Sequence, residues 1–131
     1  MKLEKPKVVL DTNIVVSAAI SSDGNPATVF ELLLENRIIN YTTKEIIDEI
    51  KEVLERPFFK IDEEFKKFIL KNYKKSSFLI MPKFFENVIE KDSKDNKFVN
   101  CALSAKADII SGDRHLLEMK NYKWIKILTP K

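Results

Sequence analysis

Val8-Val9-Leu10-Asp11-Thr12-Asn13 joins three consecutive apolar residues to a carboxylate. So short a run, apolar on both faces, predicts a strand buried on both sides, as in a parallel sheet. Parallel strands need long crossovers, and the rest of the chain supplies them by alternating helix-like and strand-like segments. Ile14 to Ile20 continues as a short helix. Asn25-Pro26 starts a second helix, running through Phe30, Leu33 and Leu34. Ile38 to Tyr41 is the next strand, and Thr42 or Thr43 caps a helix that ends before Pro57. Asp62 opens a helix through Phe65, Phe68 and Ile69, and Phe78 to Met81 is a strand closed by Pro82. A helix from about Ser93 to Lys106 leads to a strand at Asp108 to Ser111, a short helix from Arg114 and a last strand at Ile125 to Leu128. The predicted fold is α/β, a parallel sheet covered by helices on both faces, with its reactive crevice at the carboxyl ends of the strands.

With 131 residues, the chain is expected to form one domain over 1–131. Hydrophobic residues at 44% and charged residues at 33% suit a packed interior and exclude a disordered chain. The net charge of +3 permits a polyanionic partner without demanding one. Arg37, Arg56 and Arg114 are the only arginines, and a Lys/Glu-rich surface equally suits a hot environment. A single cysteine, Cys101, excludes an intrachain disulfide and a thiolate zinc cluster, and points to a cytoplasmic location. Cys101 reads as core, not as a nucleophile. With His115 as the only histidine, a metal-free two-histidine ribonuclease is excluded. Gly24 and Gly112, far apart, form no phosphate or dinucleotide loop. Asp11 and Asn13 interrupt the first apolar run, which is therefore not read as a signal peptide, and no segment is long enough to span a membrane.

Four carboxylates stand where carboxylates are costly. Asp11 follows Val8-Val9-Leu10, and Asp113 follows Ile109-Ile110-Ser111-Gly112, so each falls just past the end of a buried strand. Each could equally cap the helix after it. In the helix from Thr43 to Arg56, Ile46, Ile47, Ile50, Val53 and Leu54 define the core-facing stripe, and Glu49 lies about 95° from its centre, at the shoulder. Phe98, Val99, Ala102 and Ala105 mark the apolar face of the later helix, and Asp95 points within about 10–20° of that face's centre. A carboxylate aimed at a core must be paired, capped or bound to a cation. Asp92 as N-cap with Asp95 at the third helical position is the capping alternative, and both roles can hold together. Four such acids in one crevice would repel unless a divalent cation neutralised them, and oxygen-only ligands suit Mg2+ or Mn2+.

In these pieces the sequence resembles a PIN domain, of the compact microbial subgroup described as toxins of toxin–antitoxin systems. Val8 to Asn13 carries the first part of the likeness and Thr43-Lys-Glu-Ile-Ile-Asp-Glu49-Ile-Lys-Glu-Val-Leu-Glu-Arg-Pro57 the second. Asp92-Ser-Lys-Asp95-Asn-Lys-Phe-Val-Asn-Cys-Ala-Leu, Ala107-Asp-Ile-Ile-Ser111-Gly-Asp113 and Ile127-Leu-Thr-Pro130 complete it, in order and with fitting spacing. The resemblance implies a three-layer α/β/α sandwich with a central, mainly parallel sheet of four to five strands. It also implies a metal-dependent endoribonuclease whose acidic positions fall on Asp11, Glu49, Asp95 and Asp113. Asp92 resembles an accessory acid, and Thr12, Asn13 and Ser111 match polar positions beside the site. An antitoxin that covers the site and a homodimer are the partners it implies.

The expected chemistry has Asp11, Asp95 and Asp113 holding one or two Mg2+ or Mn2+ ions, with Glu49 completing the shell directly or through water. Products would carry 5′-phosphate and 3′-hydroxyl ends. For RNA docking, Lys66, Lys67, Lys71, Lys74 and Lys75 cluster on or near one helix with Phe65, Phe68 and Tyr73. The same pattern also fits an amphipathic helix with aromatics in the core and lysines in water. Three rivals stand beside the ribonuclease: a phosphate-handling enzyme with Asp11 as nucleophile, a binding-only scaffold, and a phosphoacceptor using Asp95 or Asp11. The first usually has a second aspartate two residues on, where this chain has Asn13.

Overall fold

The apolar run at the start does form the centre of a parallel sheet. The computed structural model describes residues 5–21, 24–56, 61–84 and 95–130, with Arg114 and His115 as backbone only. Along the chain run β1 (Lys7–Leu10), α1 (Thr12–Ile20), α2 (Asn25–Leu34), β2 (Ile39–Thr42), α3 (Lys44–Leu54) and α4 (Glu63–Ser76). Then come β3 (Ser77–Leu79), α5 (Asn96–Ala105), β4 (Asp108–Ile110), α6 (Arg114–Leu117), β5 (Asn121–Tyr122) and β6 (Ile125–Leu128). Pro57, Asp92 and Ser93, used in the sequence-based expectations, lie outside the described residues.

The strand order among the described residues is β3-β2-β1-β4-β6-β5. β1 pairs in parallel with β2 and β4, β2 with β3, and β4 with β6. β5 alone runs antiparallel, against β6. The steps β1→β2→β3 go one way, and β3→β4 returns across both. Right-handed crossovers then lay α1 to α4 over one face and α5 over the other. Accordingly α5 packs on β1, β2 and β4, while α1 to α4 pack on one another. The architecture is the three-layer α/β/α sandwich, and the direction of the sheet reverses between β1 and β4.

Two local devices set the positions that matter for the site. β1 and β2 are in register only through Lys7↔Ile39 and Val8↔Asn40. Beyond that point the buried Asn40 side chain takes over the ladder: its Oδ1 accepts from Leu10 N at 3.0 Å, and its Nδ2 donates to Ser77 Oγ at 2.8 Å. Beside it the buried Tyr73 hydroxyl donates to Thr42 Oγ1 at 2.9 Å. Burial pushes the Tyr73 phenol up to about 12. This polar seam satisfies groups that would be costly to bury alone, and it holds the end of β1 in place.

The second device is the sharp end of α5. Lys106 turns left-handed at φ 56°, and Ala107 N donates to Ala102 O at 3.0 Å, a Schellman closure. β4 starts one residue later, so α5 runs back along it. Ten helical residues rise about 15 Å and the three residues of β4 about 10 Å. The N-terminus of α5, with Asp95, therefore stands on the side of the carboxyl end of β4, a little beyond it.

Candidate active site

Asp11 lies at the point where the strand order reverses, the position at which open α/β sheets bind ligands. Its backbone N–H continues the β1–β4 ladder by donating to Ile110 O at 3.0 Å. Its Oδ1 caps α1, accepting from Asn13 N at 3.3 Å. The capping role and the crevice position thus coincide. The same holds for Asp113, whose Oδ2 accepts from Leu116 N at 3.2 Å at the start of α6.

Ser111 bridges the two acids. Its hydroxyl donates to Asp11 Oδ2 at 2.6 Å and accepts from Asp113 N at 2.9 Å. Asp11 is only 3% exposed and Ser111 is fully buried. Burial raises the Asp11 carboxyl above its ordinary value. The hydrogen bonds from Ser111 and Asn13 oppose that rise, and the negative charges of Asp113 and Glu49 add to it. A carboxylate that feels both of these acids shares a crevice with them.

Glu49 reaches the same place from α3. The Thr12 hydroxyl donates to its Oε2, and the Lys97 ammonium pairs with its Oε1 at 3.1 Å. Thr12 is buried immediately after Asp11, so the shoulder position predicted for Glu49 is turned inward at the β1–α1 junction. Asp95 stands at the start of α5, two residues before Lys97, with its Oδ2 oxygen buried. Asp11, Asp113 and Glu49 thus stand near one another past the carboxyl ends of β1 and β4, and Asp95 begins the helix that carries Lys97, the partner of Glu49. Asn13 is exposed at the first turn of α1, and Asp92 falls outside the described residues.

The donor chemistry fits a hard dication: every candidate ligand is a carboxylate or hydroxyl oxygen, and the Asp11 charge is disfavoured where it stands. Among the described residues no three Asp, Glu, His or Cys side chains stand close enough to share an ion as they lie. Their mutual repulsion opposes a closer approach.

Lys97 is the site residue that sequence patterns do not reveal. On a helical wheel it falls about 130° from the centre of the apolar face, where a lysine is expected to reach water. Its side chain is instead 7% exposed, because α3 closes over it and Glu49 pairs with it. Cys101 is fully buried in the middle of α5, and burial pushes its thiol up to about 12, as a core residue requires.

The lysines of α4 stand elsewhere. Lys67, Lys71, Lys74 and Lys75 are exposed, and Lys66 pairs with Glu63 at 2.9 Å. β3 starts directly after them, and Ser77 is level with Asn40 and so with Val8. Lys74 and Lys75 therefore face the amino end of the sheet, away from Asp11. The aromatics of α4 divide. Tyr73 is buried, but Phe65 and Phe68 are 40% and 49% exposed and stack on each other at 6.0 Å.

A sheet of this order with acids at its switch point defines a class, and comparison with known proteins agrees. The PIN domain family model matches residues 7–115, and the chain belongs to that family. It is 35% identical, over 97% of its length and 84% of the relative's, to an uncharacterized protein of Methanocaldococcus jannaschii. Its fold is similar to a crystal structure of VapBC2 from Rickettsia felis bound to a DNA fragment from their promoter. That similarity has a TM-score of 0.61 and 13% identity, over 94% of this chain and 98% of that one. Among the described residues no helix is long and apolar enough to cross a membrane.

Proposed function

We propose that this PIN-domain chain is a nuclease that hydrolyses RNA phosphodiester bonds with the help of Mg2+ or Mn2+, as the toxin of a toxin–antitoxin pair. Membership of the PIN family supports the nuclease. One observation carries the dependence on a cation: a buried carboxylate, Asp11, is bridged by Ser111 to Asp113 and feels the charge of Glu49. A fold that gathers negative charge at its switch point is made for a cation.

Asp11, Asp95 and Asp113 would hold the ion, with Glu49 beside them. When bound, such an ion supplies a more acidic water and screens the phosphate charge. The chain does the rest. Ser111 holds the Asp11 and Asp113 segments together. Asn13, at the exposed first turn of α1, offers its amide to substrate. Asp92 resembles an accessory acid of the same site. The exposed lysines of α4 bind the RNA backbone away from the cleavage point, and the stacked Phe65 and Phe68 offer a surface for bases.

The toxin reading brings two protein partners, an antitoxin and a second copy of this chain. Phe78, Leu79 and Met81, 59%, 64% and 86% exposed on and beside the edge strand β3, give apolar surface for such contacts. A cytoplasmic location follows from the same reading.

The test is cleavage of RNA with Mn2+, Mg2+ or EDTA by the wild type, Asp11→Asn and Asp95→Asn. The wild type is expected to cut with either metal, leaving 5′-phosphate and 3′-hydroxyl ends, and to stop in EDTA. Each variant is expected to lose at least about a hundredfold in kcat. Full activity in both variants, or in EDTA, overturns the proposal.

A further inference from the structure

We propose that Lys97 is a positioning residue that, with Thr12, locks Glu49 as a fixed, charge-compensated carboxylate beside the metal instead of a direct ligand of it. The inference rests on the nuclease reading above and deepens it.

Both oxygens of Glu49 are engaged. Oε2 accepts from the Thr12 hydroxyl, and Oε1 faces the Lys97 ammonium at 3.1 Å. Glu49 itself is 24% exposed at its side chain and Lys97 only 7%. An ammonium so enclosed needs an anion, and one already paired gives up its carboxylate reluctantly. The Lys97 ammonium also lies 5.3 Å from the centre of the Phe98 ring, which the core holds.

The clamp spans three of the four segments that carry the acids. Thr12 follows Asp11 at the head of α1, Glu49 belongs to α3, and Lys97 lies two residues past Asp95 on α5. Holding Glu49 at both oxygens therefore fixes the spacing of α3 from the two other segments. It also sets Glu49 apart chemically. Asp11 takes hydrogen bonds from a hydroxyl and a backbone N–H, neither of which carries a charge, while Glu49 has a full positive charge in contact. A hard dication competes with that ammonium for Glu49, and among the described residues no ion pair is formed by Asp11. Glu49, fixed in place, keeps one lone pair on each oxygen to orient water and substrate, and its geometry depends on Lys97.

The experiment pairs two readouts on the full chain: Mn2+ binding without RNA, followed by electron paramagnetic resonance, and steady-state cleavage of an RNA oligonucleotide. Glu49→Gln is expected to bind Mn2+ within about threefold of wild type and to lose roughly ten- to a hundredfold in kcat. Lys97→Met is expected to bind Mn2+ about three- to tenfold more tightly, since Glu49 is released to the ion, while kcat falls roughly ten- to a hundredfold at unchanged KM. Lys97→Arg should recover most of the kcat. Mn2+ binding weakened about tenfold or more by Glu49→Gln would make Glu49 a direct ligand and overturn the proposal. So would wild-type affinity and kcat in Lys97→Met. Should Lys97→Met fail to fold, Glu49→Gln and Lys97→Arg still decide the matter by the same criteria. Asp11→Asn separates the two levels. If it cleaves normally, the nuclease reading falls. If it is inactive while Lys97→Met is normal, only the clamp falls.

Discussion

Asp11 illustrates what a single residue costs the fold that carries it. Its carboxyl is raised by burial first, and the charges of Asp113 and Glu49 add to the rise. A carboxyl raised in the folded state binds its proton more tightly there than in the unfolded chain. Its stabilising effect is complete below the unfolded value of 3.8 and is lost as pH climbs through the raised folded value. At neutral pH the ionised group therefore works against the metal-free fold. Asp11→Asn keeps a side chain able to cap α1 and removes the charge. In EDTA at pH 7 that variant is expected to melt a few degrees higher than wild type, on the order of 1 kcal/mol. The gain should shrink as pH falls through the raised folded value toward the unfolded value of 3.8, as the Asp11 carboxyl takes up its proton. Thermal melts across that range check it, and a lower melting point for the variant at pH 7 refutes it. At this scale the sequence was informative about Asp11 and Asp113, because each falls just past a buried strand, where a helix cap and the crevice coincide. It was silent on Lys97, whose burial comes from α3, more than forty residues earlier in the chain. No wheel drawn on α5 alone can show that.

Elements follow the same division between local and distant causes. The ends of α1 and α3 were legible because Asp11 and Thr43 cap them through their own side chains. β5 has two residues and exists only as the partner of β6, so Asn121-Tyr122 carries no pattern of its own. Of the two readings of α4, the amphipathic one put Phe65 and Phe68 in the core, and both are exposed. The helix buries Ile69 and Tyr73 against its neighbours, and hydrophobicity alone could not tell the two pairs apart. The α5–β4 turn yields a prediction of its own. Lys106 is left-handed at φ 56°, a conformation that strains a residue with a Cβ. Glycine there keeps the closure from Ala107 N to Ala102 O. Lys106→Gly is expected to stabilise the protein by about 1 kcal/mol, after the entropy glycine adds to the unfolded chain. Chemical denaturation with an unchanged m-value would confirm it. A loss of stability would mean that the lysine side chain contributes more than the strain costs.

On the scale of the whole molecule, charge is segregated along the strand axis. The acids stand at the carboxyl ends of β1 and β4, and Lys74 and Lys75 stand before the amino end of β3. Ser77 is level with Val8, and Asp11 lies three residues further on, about 10 Å up the sheet. An RNA long enough to touch both must run along the flank of the molecule, whereas a short one at Asp11 does not reach the α4 lysines. The parallel sheet made the first half of this layout legible, since the reactive end of such a sheet is known from topology. The lysine cluster was legible as a cluster but not in its direction, which depends on α4 leading straight into β3. Replacing Lys67, Lys71, Lys74 and Lys75 together by alanine separates docking from catalysis. KM for a long RNA is expected to rise about tenfold or more, while kcat and the KM of a trinucleotide stay unchanged. Binding to the inactive Asp11→Asn protein should lose roughly 0.7 from its log–log salt slope for each phosphate contact removed. An unchanged slope and KM would assign these lysines to solvation alone and move the docking surface to the carboxyl end of the sheet, around Asn13 and α3.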